Sequence, residues 1–143
     1  MMPKKQRLLI TISFIGVIFA LLFLYLQKNS EYENQGEKIH SACEDIIIEI
    51  VDSFTEYKNN HQKEQLHSAE LNLYALSRLY ELLPEDYYDT DLHLRIQQTW
   101  QKLNFEEELP EYEVDILIEA FTLLSHDLND TAAYYKLLGL FND

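Results

Sequence analysis

A single cysteine, Cys43, among 143 residues removes two classes at once: an internal disulfide, and any metal or iron–sulfur site built from several thiolates. Glycine and proline are equally scarce, three of each, too few for a collagen-like repeat, a Pro/Gly-rich chain or a loop-rich β domain. Positive charge is thin. Eleven Lys and Arg stand against 25 Asp and Glu, and the resulting net charge of −14 would repel the phosphates of a nucleic acid. No nucleophile elbow, His-Glu-x-x-His pair, Walker loop or dinucleotide Gly pattern is present. What is there is 47% hydrophobic and 25% charged, the balance of a folded chain rather than a disordered one.

The apolar residues are concentrated at one end. Residues 8–26 form a run of 19 without a charge, diluted only by Thr11, Ser13, Gly16 and Tyr25. At about 1.5 Å per residue such a helix covers the ~30 Å hydrocarbon core of a bilayer, which predicts a transmembrane helix over 8–26. A cleaved signal peptide is the competing reading. It calls for a shorter apolar stretch with a small-x-small site just beyond, and Gln27-Lys28-Asn29-Ser30 supplies none. His40-Ser41-Ala42-Cys43 resembles a lipoprotein cleavage box, but it leads with His and lies well past the run.

Lys4, Lys5 and Arg7 precede the run, with Lys28 and Lys38 behind it. The basic 1–7 segment is therefore expected in the cytoplasm and residues 27–143 on the far side of the membrane. Gly16 and Ala20 make a small-xxx-small pair, which reads either as a homodimer contact between anchors or as a lipid-facing accident.

Beyond residue 26 lie 25 acids and eight Lys/Arg, a net charge of −17 that keeps this part off anionic headgroups. Residues 27–37 read as a polar spacer. From 38 to 143 the period is helical throughout, predicting an acidic all-α domain of about five helices. Ile39, Cys43, Ile46, Ile50, Phe54 and Tyr57 mark a helix over about 38–58. Leu66, Ala69, Leu73, Leu76, Tyr80 and Leu83 mark a second over about 62–83, ended by Pro84. Asp89-Thr90 caps a third with Leu92, Ile96, Trp100 and Leu103 aligned. Pro110 suits the first turn of a fourth with Val114, Leu117, Phe121 and Leu124. Asp130-Thr131 opens a fifth with Tyr134, Leu137, Leu138 and Phe141.

Sliding the chain on itself by 41 residues aligns 74–97 with 115–138. Leu76, Leu82, Leu83, Asp86, Asp89 and Thr90 fall on Leu117, Leu123, Leu124, Asp127, Asp130 and Thr131. Two readings stand: one helical hairpin written twice, as in stacked-hairpin arrays, or two unrelated hairpins sharing Leu spacing and an Asp-Thr cap. The stretch Asn129-Asp130-Thr131-Ala132-Ala133-Tyr134-Tyr135, followed by Leu138-Gly139, resembles the junction between tetratricopeptide repeats. It departs from that family in having Leu128 where the family has Pro and a period of 41 instead of about 34. What the resemblance implies is a peptide-binding concave surface.

The sharpest enzyme-like feature is a pair of Glu-x-x-His steps, Glu37/His40 and Glu64/His67, of the kind that di-iron bundles turn inward. Here they turn outward. At about 100° per residue Glu64 lies about 180°, and His67 about 120°, from Leu73 at the middle of the apolar face. No metal, cofactor or catalytic residue is therefore expected, although a His/carboxylate metal-dependent enzyme stays as the alternative. His61 falls in a polar turn, His93 opens a helix and His126 closes one, where a positive charge suits the helix dipole, and all read as surface residues. Cys43 sits on the core stripe as a small hydrophobe.

Two features point to partners instead. Glu106, Glu107, Glu108, Glu111, Glu113 and Asp115 put six acids into ten residues, either a solvated linker or a landing patch for a basic protein. Tyr87-Tyr88 lie in a turn, where aromatic side chains serve as interface anchors. Leu71, Ala75 and Leu82, opposite the main stripe of the second helix, imply a sandwiched helix or an apolar patch. The expectation is a single-pass, membrane-anchored helical domain that binds protein through Tyr87, Tyr88, Glu106, Glu107 and Glu108. A small regulatory or immunity-type protein acting through its anchor is the other possibility.

Overall fold

The computed structural model describes residues 4–106 and 108–141, with side chains from Ile18 onward. Among these the chain is helical without strands: α1 (Lys4–Asn60), α2 (Lys63–Tyr80), α3 (Thr90–Phe105), α4 (Glu111–Leu124) and α5 (Thr131–Gly139). A 3-10 turn at Glu85–Tyr87 lies between α2 and α3. Two compact units divide at Glu37/Lys38.

In the first unit, the expected span over 8–26 falls partly outside the described side chains, since these begin at Ile18. Among the described residues no helix is long and apolar enough to cross a membrane. Residues 27–37, expected as a polar spacer, are themselves helical. Polarity alone does not stop a helix. The stretch has no proline, Gly36 costs only about 1 kcal/mol, and Asn29 Nδ2 donates to Glu33 Oε1 one turn on at 2.9 Å.

The second unit carries the core. Its share of α1 buries Cys43, Ile47, Ile50, Phe54 and Tyr57, with Ile39 and Ile46 half-buried at the margin. α1 stops where His61 turns left-handed, with φ of 53° and its N–H donating to the Tyr57 carbonyl at 2.8 Å. That is the usual stop for a helix, here built without glycine. α2 buries the expected Leu66, Ala69, Leu73, Leu76 and Tyr80 but ends at Tyr80 rather than 83. The residue before Pro84 disfavours helical dihedrals, so the last turn tightens: Leu82 and Leu83 donate to the Leu79 and Tyr80 carbonyls. Leu83 still drops into the core at 7% exposure.

Asp89 caps α3 by accepting from the Asp91 and Leu92 amides. Asp130 caps α5 by accepting from the Ala133 amide. Pro110 takes the cap position of α4, one residue earlier than expected. On α5 the buried face is Ala133 and Leu137, followed by Leu140, so that Tyr134, Leu138 and Phe141 are only half-buried. α2 packs on α3, α4 on α5, and α3 on α5. Phe54 of α1 stacks on Phe121 of α4 at 6.4 Å between ring centroids.

The segments aligned by the 41-residue offset lie at matching places in two helical hairpins, α2–α3 and α4–α5. Leu76 and Leu117, Tyr80 and Phe121, and Ile96 and Leu137 are each buried pairs, and Asp89 and Asp130 are both caps. The correspondence breaks at Leu83, which lies beyond the end of α2, whereas Leu124 closes α4.

Candidate functional site

Tyr87 and Tyr88 share a turn but not a role. Tyr87 stays 39% exposed, with its ring edge-on to His40 at 5.3 Å. Tyr88 is half-buried and turns inward, its hydroxyl 2.7 Å from His93 Nδ1. His93, expected at the surface, is only 7% exposed. Its Nε2 lies 3.1 Å from the Ser77 carbonyl, which can only accept. Nε2 therefore donates there, and in the neutral ring Nδ1 accepts from Tyr88. Both ring nitrogens are satisfied, Tyr80 stacks on the ring at 5.7 Å, and no lone pair is left for base catalysis. The positional cue, a His three residues into α3, could not reveal this. It depends on α2 lying alongside.

Tyr80 joins the two hairpins. Its hydroxyl accepts from the Asp89 amide at 3.3 Å and donates to Asn129 Oδ1 at 3.2 Å, in the turn before α5. Burial pushes its pKa up to about 12. Cys43 is fully buried, and desolvation raises its thiol to about 12, which keeps it protonated and unreactive at neutral pH.

The acidic linker is more constrained than its composition implies. Lys102 Nζ lies 3.1 Å from Glu106 Oε1 and within 3.2 Å of both Glu113 oxygens. Burial opposes the charge on Lys102, and the two carboxylates outweigh it and raise its pKa. Glu113 is buried at 7% exposure, a position that six consecutive-looking acids gave no reason to single out. Its Oε1 also accepts from the Tyr112 hydroxyl at 3.1 Å. The Leu109 amide donates to Tyr57 Oη at 3.2 Å, which ties the linker down on α1. Asp115 pairs with Lys58 at 2.5 Å. Three of the six acids are thus paired, Glu106 and Glu113 sharing Lys102 and Asp115 with Lys58, while Glu108 and Glu111 face solvent. Glu107 lies outside the described residues.

The expected contact residues do not converge. Tyr87 and Tyr88 precede α3, and Glu106 and Glu108 follow it. A helix of 16 residues sets them about 24 Å apart at 1.5 Å per residue. The Glu-x-x-His steps do not converge either. Glu64 and His67 are exposed, with His67 paired to Glu70 at 3.1 Å, and His40 lies 3.6 Å from Glu44. Among the described residues no group of three His, Cys, Asp or Glu is placed to hold a metal ion. Leu71 and Leu82 are 54% and 62% exposed, so the outward face of α2 is not sandwiched. Comparison with protein-family models, curated proteins and solved structures finds no match to this chain.

Proposed function

We propose that this chain is a single-pass membrane protein whose helical domain binds a protein partner and performs no chemistry itself. The observation that carries the reading is the state of residues 18–26. Ile18, Phe19, Leu21, Leu22, Phe23, Leu24, Tyr25 and Leu26 are each at least half exposed, on every side of a helix. A helix apolar all round belongs in a large core or in lipid, and among the described residues these side chains stay uncovered. Roughly 10 kcal/mol of transfer free energy is left in water by these side chains, comparable to the whole stability of a small domain. The uncharged run continues back to Leu8, and the basic residues at 4, 5 and 7 favour a cytoplasmic N-terminus with the acidic domain on the opposite side.

Binding rather than catalysis is supported by the closed hydrogen bonding of His93 and the outward scatter of the other His and carboxylate groups. The test is removal of residues 8–26. The full chain should resist alkaline extraction from membranes, and the shortened chain should be soluble and retain its helical circular dichroism. A full chain released by alkaline washing would sink the anchor. An unfolded fragment would sink the modular arrangement.

A further inference from the structure

The first unit's share of α1 carries a stripe. Ile18, Leu22, Tyr25, Asn29 and Tyr32 recur at steps of four and three, the a and d positions of a heptad repeat, over about 21 Å of helix. All five are exposed, Ile18 and Leu22 at 52%, Tyr25 at 68% and Tyr32 at 58%. Within 18–26 every face is apolar, so the stripe does not stand out there. Beyond Leu26 it does. In the polar stretch 27–36, Tyr32 is the one aromatic or aliphatic residue, and it stands two turns after Tyr25 on the same side. Gly36, next in step, has no side chain and ends the stripe.

The polar residues beside the stripe select what covers it. Asn29 falls at an a position between the two tyrosines, and a single Asn there faces its counterpart on an identical helix and sets register and strand number. Lys28 falls at g, and Glu33 at e five residues on. In a parallel pair each g residue lies against the following e residue of the other helix, so Lys28 meets Glu33 of the second copy, once on either side of the seam. On the single chain Glu33 accepts from Asn29 Nδ2 at 2.9 Å, an exposed bond within one turn. Pairing exchanges it for two charge-assisted contacts and frees Asn29 for its counterpart.

We propose that residues 18–33 of α1 pair with the same segment of a second copy of this chain, as a parallel two-stranded coiled coil that continues from the apolar run into the polar stretch. Left-handed packing of this kind suits helices in lipid as well as in water. The seam is distinct from the Gly16/Ala20 pair, which lies about 130° and 180° round a heptad helix from it. The acidic domains of two copies repel, and physiological salt screens that repulsion beyond about 8 Å. The parallel sense rests on the anchored reading of the chain, since two anchors inserted alike run the same way.

The test uses the full chain with Cys43→Ala in native membranes. Single cysteines replace seam residues (Tyr25→Cys, Asn29→Cys, Tyr32→Cys) or residues on the far side (Gln27→Cys, Ser30→Cys, Asn34→Cys). All six positions are exposed and outside the domain core. Copper-phenanthroline oxidation and non-reducing gels read the disulfide-linked dimer, and seam positions should give about fivefold more of it than far-side positions. Equal yield at all six would be collision within the membrane and would overturn the pair. So would no dimer at any position, or a seam adduct to a different protein in place of the dimer.

Two further arms fix the register and the anchor. In the Tyr32→Cys chain, Lys28→Glu or Glu33→Lys should each cut the dimer about threefold, and the two together should restore it, because the swap rebuilds the contact with its signs exchanged. A double variant that stays low would overturn the parallel register. Gly16→Leu/Ala20→Leu should leave the seam dimer intact, and its loss would move the contact to that pair and overturn the seam. Alkaline extraction of the same membranes keeps the two readings apart. A chain retained in the pellet without a seam-specific dimer overturns the pair and leaves the anchor; a chain released with its seam dimer intact overturns the anchor and leaves the pair.

Discussion

Lys102 is the residue on which the linker between α3 and α4 depends, and replacing it by Met keeps the stem while deleting the charge. The Lys102 side chain is only 20% exposed, and Met puts a stem of similar length in the same place, so packing changes little. What is lost is the cation facing Glu113, whose side chain is 9% exposed, and facing Glu106 at 35%. Breaking a buried pair by removing one partner costs about 3–5 kcal/mol when the remaining charge is uncompensated. Two facts reduce that here. Lys102 itself is 20% exposed, and the Tyr112 hydroxyl still donates to Glu113. About 2–3 kcal/mol is therefore expected for Lys102→Met.

Glu113→Gln should cost about 1 kcal/mol, because Gln keeps a carbonyl for Tyr112 and Lys102 keeps Glu106. In the double variant no buried carboxylate remains unpaired, so the two losses should not add, and a coupling of about 2 kcal/mol is expected. Urea unfolding followed by Trp100 fluorescence and far-UV circular dichroism measures all four corners of the cycle. A Lys102→Met loss under about 0.5 kcal/mol, or additive single losses, would mean that Lys102 is an ordinary surface charge and does not hold the linker.

Three further outcomes follow from the packing. Tyr80→Phe removes the hydroxyl shared by the Asp89 amide and Asn129, and should cost about 1–2 kcal/mol in urea melts; a neutral result would mean that the hairpins are joined by apolar contact alone. Stability should fall as pH rises above about 9, because the unfolded chain releases the Cys43 and then the Tyr80 proton while the fold holds both up to about pH 12. Each contributes a slope of about 1.4 kcal/mol per pH unit within its window, and Cys43→Ala should flatten the first part of the decline seen in alkaline thermal melts. His61→Gly relieves a left-handed backbone that costs about 1 kcal/mol and should raise the melting temperature, less the edge contact with Tyr57 at 5.9 Å; a lower melting temperature would place that contact above the strain.

Periodicity made the core legible. Leu66, Ala69, Leu73, Leu76 and Tyr80 were readable because a 3.6-residue repeat is a property of one helix, and Asp89 and Asp130 because an aspartate cap is a local hydrogen bond. The polar groups were less legible, since their fate is decided between elements. Tyr88 reads as an exposed turn aromatic until α3 brings His93 under it, and Glu113 reads as one acid of six until α3 brings Lys102 over it. Residues 27–37 read as a polar spacer from composition, which does not say whether such a stretch is helical; here it is.

The account turns on a domain held at a membrane and open to protein on the far side from the N-terminus. A membrane-impermeant, amine- and carboxylate-reactive crosslinker, added to sealed native membranes and followed by mass spectrometry of this chain, tests it most directly. The account predicts modification at residues beyond 37 in intact membranes, with one dominant protein adduct. Modification only after the membranes are permeabilised would contradict the orientation, and full modification without any protein adduct would contradict the binding role.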